Sequence, residues 1–122
     1  MGTFGRSIGR HVDAEFEAAR VAEAEGKRDK AFAHLERAHV LGQASTVQHV
    51  RAHWQMFLWS LRHRQARECF GQVVRLVGAA TKTPVGLVPA GNTGGANVSP
   101  FKPIQIPTDL AALIDEARKP GR

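Results

Sequence analysis

Apolar residues recur at helical spacing through the first eighty positions, in four blocks separated by short polar breaks. The blocks predict helices over about residues 12–25, 29–41, 46–63 and 65–78. In the second block Ala31, Phe32, Leu35 and Ala38 share one face, and in the third the apolar stripe runs through Val47, Val50, Trp54, Phe57, Leu58 and Leu61. Gly26 and Gly42 stand at the ends of the first two blocks, where a left-handed residue is cheapest as glycine. Connections this short make successive helices antiparallel neighbours, so the expected fold is all-α, two helical hairpins in a four-helix packing.

The first hairpin resembles a tetratricopeptide repeat, with Ala19, Ala31 and Ala38 where two helices approach closely. Ala66, Phe70 and Val73 repeat the mutual spacing of Ala31, Leu35 and Ala38, but Trp54 stands where Ala19 would be repeated. Two such hairpins fall short of the three or so repeats a solenoid needs, which favours a closed arrangement.

All six prolines follow residue 83, which divides a helical domain of residues 1–80 from a tail of residues 81–122. The tail is expected to run extended over the helices, anchored by Val88, Val98, Phe101, Ile104 and Ile106. A short last helix over about residues 110–117 would be capped by Thr108 or Asp109.

The ordinary apolar fraction of 43% argues for a folded chain, and no apolar run reaches the roughly 18 to 20 residues of a membrane span. With no secretory signal pattern at the start, a cytoplasmic protein is the expectation. The net charge of +6 is uneven. Residues 11–43 hold five basic and seven acidic side chains, whereas residues 44–80 hold Arg51, Arg62, Arg64, Arg67 and Arg75 against Glu68 alone. That basic hairpin offers Arg62, Arg64 and Arg67 to an acidic protein partner. The absence of tyrosine and of any RNA-binding signature argues against nucleic acid.

Cys69 is the only cysteine and reads as a small buried hydrophobe, so a metal would rest on His, Glu, Asp or Met. Four of the six histidines fall between residues 34 and 53. At about 100° per residue, His49, His53 and Met56 project within about 60° of one another, on a flank beside the apolar stripe of the third helix. His39 points inward from the second helix with Glu36 one turn earlier, whereas His34 points about 140° away from it. Antiparallel packing brings His39, His49 and His53 to similar heights. Three imidazoles with Glu36 or Met56 nearby suit a transition metal: zinc with a carboxylate or water, copper if Met56 takes part, iron by the ExxH run from Glu36 to His39. The plainer reading is three core histidines bonded to backbone, with Met56 as filler. His11, His34 and His63 read as surface or capping residues.

The tail run GNTGGANVS lacks the preceding strand and the GK[ST] ending of a phosphate loop. Its Asn92, Thr93, Asn97 and Ser99 are candidates for a lid over the histidines. No nucleophilic triad with identifiable partners appears, and the choice between a binding protein and an enzyme stays open.

The runs AFAHLERAHVLGQ, HVRAHWQM and PAGNTGGANVSPFKPIQIPTDL together resemble a family of short bacterial proteins classified only as a domain of unknown function. The resemblance extends from about Phe16 to Leu113 and implies a bacterial, single-domain protein. It brings no activity and no catalytic residue. The motifs that carry it include His39, His49, His53 and the GNTGGANVS run.

Overall fold

The computed structural model describes residues 2–81 and 106–119. They form five helices, α1 (Thr3–Ala24), α2 (Arg28–Gly42), α3 (Thr46–Arg62), α4 (Ala66–Thr81) and α5 (Thr108–Ala117), with no strand among the described residues. The fold is all-α. The expected anchors Val88, Val98, Phe101 and Ile104 lie outside the described residues; Ile106 packs against the core.

Apolar contact decides the arrangement. Ile8 and Val12 of α1 meet Ala38, Val40 and Leu41 of α2 and Leu110, Ile114 and Ala117 of α5 in one cluster. Farther along, Ala19 and Ala22 meet Ala31 and Leu35 of α2 and Met56 and Trp59 of α3. Rising numbers in α1 thus meet falling numbers in α2, the antiparallel sense a three-residue connection imposes. Burial of each large aliphatic side chain here contributes about 1.5–3 kcal/mol. Helix α4 packs chiefly on α3, so the four helices follow one another instead of closing into a bundle. The positions that suggested a repeat also part company: Leu35 and Ala38 are buried, Phe70 and Val73 exposed.

Helix α1 starts at Thr3, nine residues before the expected start. The added turns hold Gly5 and Gly9, both buried where α3 crosses α1. The buried Gln48 reaches over to donate from Nε2 to the Gly5 carbonyl (3.1 Å), and a Cβ on Gly9 would stand 2.7 Å from that same Nε2. Arg51 Nη1 donates to Gln48 Oε1 (2.6 Å) and Arg51 Nη2 to Asp13 (2.5 Å), which satisfies the amide at both ends.

Both helical turns that need a left-handed residue close the same way. After α1, Gly26 has φ 77°, with Lys27 N donating to Ala22 O (2.9 Å) and Gly26 N to Glu23 O (3.0 Å). After α3, Arg64 takes that place at φ 53°, with Gln65 N on Ser60 O (2.9 Å) and Arg64 N on Leu61 O (3.3 Å). Gly42 is not left-handed, contrary to expectation. A Cβ there would lie 2.7 Å from Gln48 Cβ and 3.1 Å from the Gln48 carbonyl carbon, so glycine lets the end of α2 approach α3 closely.

Three further expectations are corrected. The buried face of α3 is Gln48, Ala52, His53, Met56, Trp59 and Ser60, while Val47, Trp54 and Leu61 are about half exposed. Small residues on α1 and α2 leave room for the large His/Met face, and Trp54 instead stacks on Phe57 of its own helix. Helix α5 has Pro107 at its N-cap and no side-chain cap, because Asp109 is turned to Arg37. Cys69 is half-buried.

Candidate metal centre

The close approach at Gly42 sets His39, one turn before the end of α2, opposite the first two turns of α3. Those turns carry His49 and His53 at the i, i+4 spacing that aims two side chains at one point. His39 and His53 are buried and His49 is half-buried. Nε2 of His49 lies 3.0 Å from Nε2 of His39 and 3.1 Å from Nε2 of His53. The three ring centroids are 4.6–4.8 Å apart. One nitrogen from each ring lies within 4.8 Å of the other two, and among the described residues no carboxylate or thiol joins the group.

Beneath this cluster, Nδ1 of His53 is 2.6 Å from Oε1 of the fully buried Gln72, whose Nε2 donates to Glu68 Oε2 at 2.6 Å. Burial is the main cause that brings the His53 pKa down to about 3. The neighbouring charges of His49 and Arg75 act in the same direction, and the bond to Gln72 acts against them. Burial lowers that of His49 too. Both rings are therefore neutral near pH 7, the form in which imidazole offers a lone pair to a metal.

A neutral His49 cannot satisfy both of its ring neighbours here. Each Nε2 carries either one hydrogen or one lone pair, yet His49 Nε2 stands at hydrogen-bond distance from two other Nε2 atoms. At most one of the two contacts can be an ordinary hydrogen bond; the other is a shared N–H, a shared lone pair, or two like groups face to face. A cation among the three rings would satisfy all three nitrogens. Tetrahedral coordination with metal–nitrogen bonds of about 2.0–2.1 Å sets nitrogens about 3.3 Å apart, so two of the spacings need open by only a few tenths of an ångström.

The remaining candidates have other surroundings or lie outside the described residues. Met56 is buried against Ala19, Ala22, Leu35 and Trp59. Glu36 is half-buried on α2 and stands outside the group of converging ligand atoms. Asn92, Thr93, Asn97 and Ser99 lie outside the described residues. Arg62 is held by both oxygens of Glu23 (2.6 and 2.9 Å), whereas Arg64 and Arg67 are exposed near the α3–α4 turn. His34 pairs with Glu15 at 2.8 Å and His63 caps α3. Sequence reasoning passed over Gln72 and Glu68. Their signal was a polar pair at i, i+4 beside the apolar residues Val73, Val74, Leu76 and Val77.

The family described as "Protein of unknown function (DUF3703)" matches residues 6–114. The chain belongs to this family. The matched span holds all three histidines together with Glu68 and Gln72. No curated protein and no solved structure matches the chain.

Proposed function

We propose that this DUF3703 protein is a small transition-metal-binding protein, an accessory in metal handling or sensing, with His39, His49 and His53 as ligands. The observation that carries the reading is His49 Nε2 standing 3.0 and 3.1 Å from Nε2 of His39 and His53, more than its hydrogen-bonding capacity can satisfy and near the spacing of metal-bound imidazoles. Three neutral nitrogens suit zinc or copper, and the lack of a carboxylate in the group makes iron a poorer match. With Met56 packed in an apolar cluster, zinc is the better fit of the two. The fourth position is left to water or to a donor from residues 82–105, among which Asn92, Thr93, Asn97 and Ser99 are the polar candidates from the GNTGGANVS run.

Metal analysis of protein purified without a polyhistidine tag, beside a His39→Ala/His49→Ala/His53→Ala variant, tests the proposal. About one equivalent of metal in the wild type and none in the variant is expected; equal content in both refutes it.

The competing idea of a helical module that docks an acidic partner relied on Arg62, Arg64 and Arg67. Of that set, Arg62 is already paired with Glu23, which leaves Arg64 and Arg67 as the exposed charges near the α3–α4 turn. No described helix is long and apolar enough to cross a membrane.

A further inference from the structure

We infer that Gln72 and Glu68 of α4 are the positioning residues of the histidine site, fixing His53 in the tautomer whose Nε2 lone pair faces His39 and His49. The effect on affinity rests on the metal-binding reading above; the effect on the tautomer does not, since it belongs to the metal-free protein.

A carboxylate only accepts hydrogen bonds, so the Glu68 oxygen at 2.6 Å requires the NH2 end of the Gln72 amide. The carbonyl end then faces His53, where Nδ1 stands 2.6 Å away. An oxygen at that distance needs a donor, which places the single proton of the neutral ring on Nδ1 and leaves Nε2 bare. The reversed amide would set oxygen against carboxylate, and Gln72, with 0% exposure, has no water to relieve that contact. An imidazole side chain free in water prefers the proton on Nε2, the position that would block coordination. The chain from Glu68 through Gln72 therefore works against the ring's own preference and prepares it for a metal.

It also answers an electrostatic need. Three neutral imidazoles leave a divalent ion with its full charge among buried groups, and hydrogen bonding joins the Glu68 carboxylate to one of them through a single amide. Helix α4 thus serves the site without supplying a ligand.

Two readouts test this on the full chain. Long-range proton–nitrogen NMR of the metal-free protein near pH 7.5 is expected to show His53 protonated on Nδ1, and Gln72→Leu is expected to move the proton to Nε2. Competition titration with cobalt(II) should show Gln72→Leu weakened about 10–100-fold with helix content unchanged. The exchange Glu68→Gln/Gln72→Glu, which restores an acceptor for His53 and a donor for that acceptor, should recover the wild-type tautomer and affinity. Wild-type tautomer and affinity in Gln72→Leu overturn the inference. Should Gln72→Leu not fold, Glu68→Ala decides at a half-buried position: mixed His53 tautomers uphold the inference and a single wild-type tautomer overturns it. A wild type that binds no cobalt, with the tautomer still shifting in Gln72→Leu, refutes the metal reading and upholds the positioning role.

Discussion

His53 shows how burial sets chemistry one residue at a time. Its folded pKa is about 3, against about 6.5 for an exposed imidazole, so the unfolded chain takes up a proton that the folded chain refuses. The sign follows: stability from this source is complete above pH 6.5 and falls as the pH drops toward 3. Urea unfolding should show the loss already between pH 6.5 and 4.5, above the range where the carboxylates of Glu23 and Asp109 titrate, since their arginine partners hold them below ordinary values. The slope should approach about 1.4 kcal/mol per pH unit from His53 alone, with His49 adding to it. Constant stability over that window contradicts a neutral buried ring. Arg64 makes a separate prediction. It occupies a left-handed position that is strained for any residue with a Cβ, so Arg64→Gly should raise stability by about 0.5–1 kcal/mol in the same assay. A lowered midpoint would show that the arginine side chain compensates for the strain.

Helix by helix, the sequence was legible where one face is continuously apolar and illegible where a helix packs on backbone. Ala31, Leu35 and Ala38 announced the α2 face, and they are buried. Gly5, Gly9 and Gly42 could not be read the same way, because a glycine that ends a helix and one that admits a neighbour look alike in sequence. At Gly9 and Gly42 what decides is Gln48, whose side chain and backbone fill the space a Cβ would take. The face of α3 was misread for a related reason: Val47, Trp54 and Leu61 look more apolar than His53, Met56 and Ser60, but the small residues of α1 and α2 accept the latter. The direction of His39, His49 and His53 followed from helical angles alone, whereas the Gln72–Glu68 pair needed the α3–α4 packing to be known. Gly42→Ala should accordingly cost about 1–3 kcal/mol, since α3 backbone, not a movable side-chain end, stands 3.1–3.2 Å from the added atom. Because the shift separates His39 from His49, zinc affinity should fall as well. Unchanged affinity in a folded Gly42→Ala protein would mean that the close approach does not set the site.

Taken whole, the molecule is a helical scaffold whose buried centre is more polar than its size requires. His39, His53, Gln48, Ser60 and Gln72 are all within 2% of full burial, and each buried imidazole gives up solvation that an apolar side chain would not. A bound cation would return that cost. Zinc at a hundred times its dissociation constant should stabilise the fold by about 2.7 kcal/mol, a rise in Tm of about 10 °C or more for a chain of this size. Thermal unfolding with and without zinc checks this, and the His39→Ala/His49→Ala/His53→Ala variant should show no rise. Exposed Phe70, Val73, Val74 and Val77 line one face of α4, yet that helix turns Gln72 inward to the histidines. The most direct test of a metal centre between α2 and α3 is anomalous diffraction at the zinc edge from crystals of the zinc-treated protein. The predicted result is one peak at about 2.0–2.1 Å from Nε2 of His39, His49 and His53. Zinc found only at surface groups such as His11, with no density among the three rings, would contradict it.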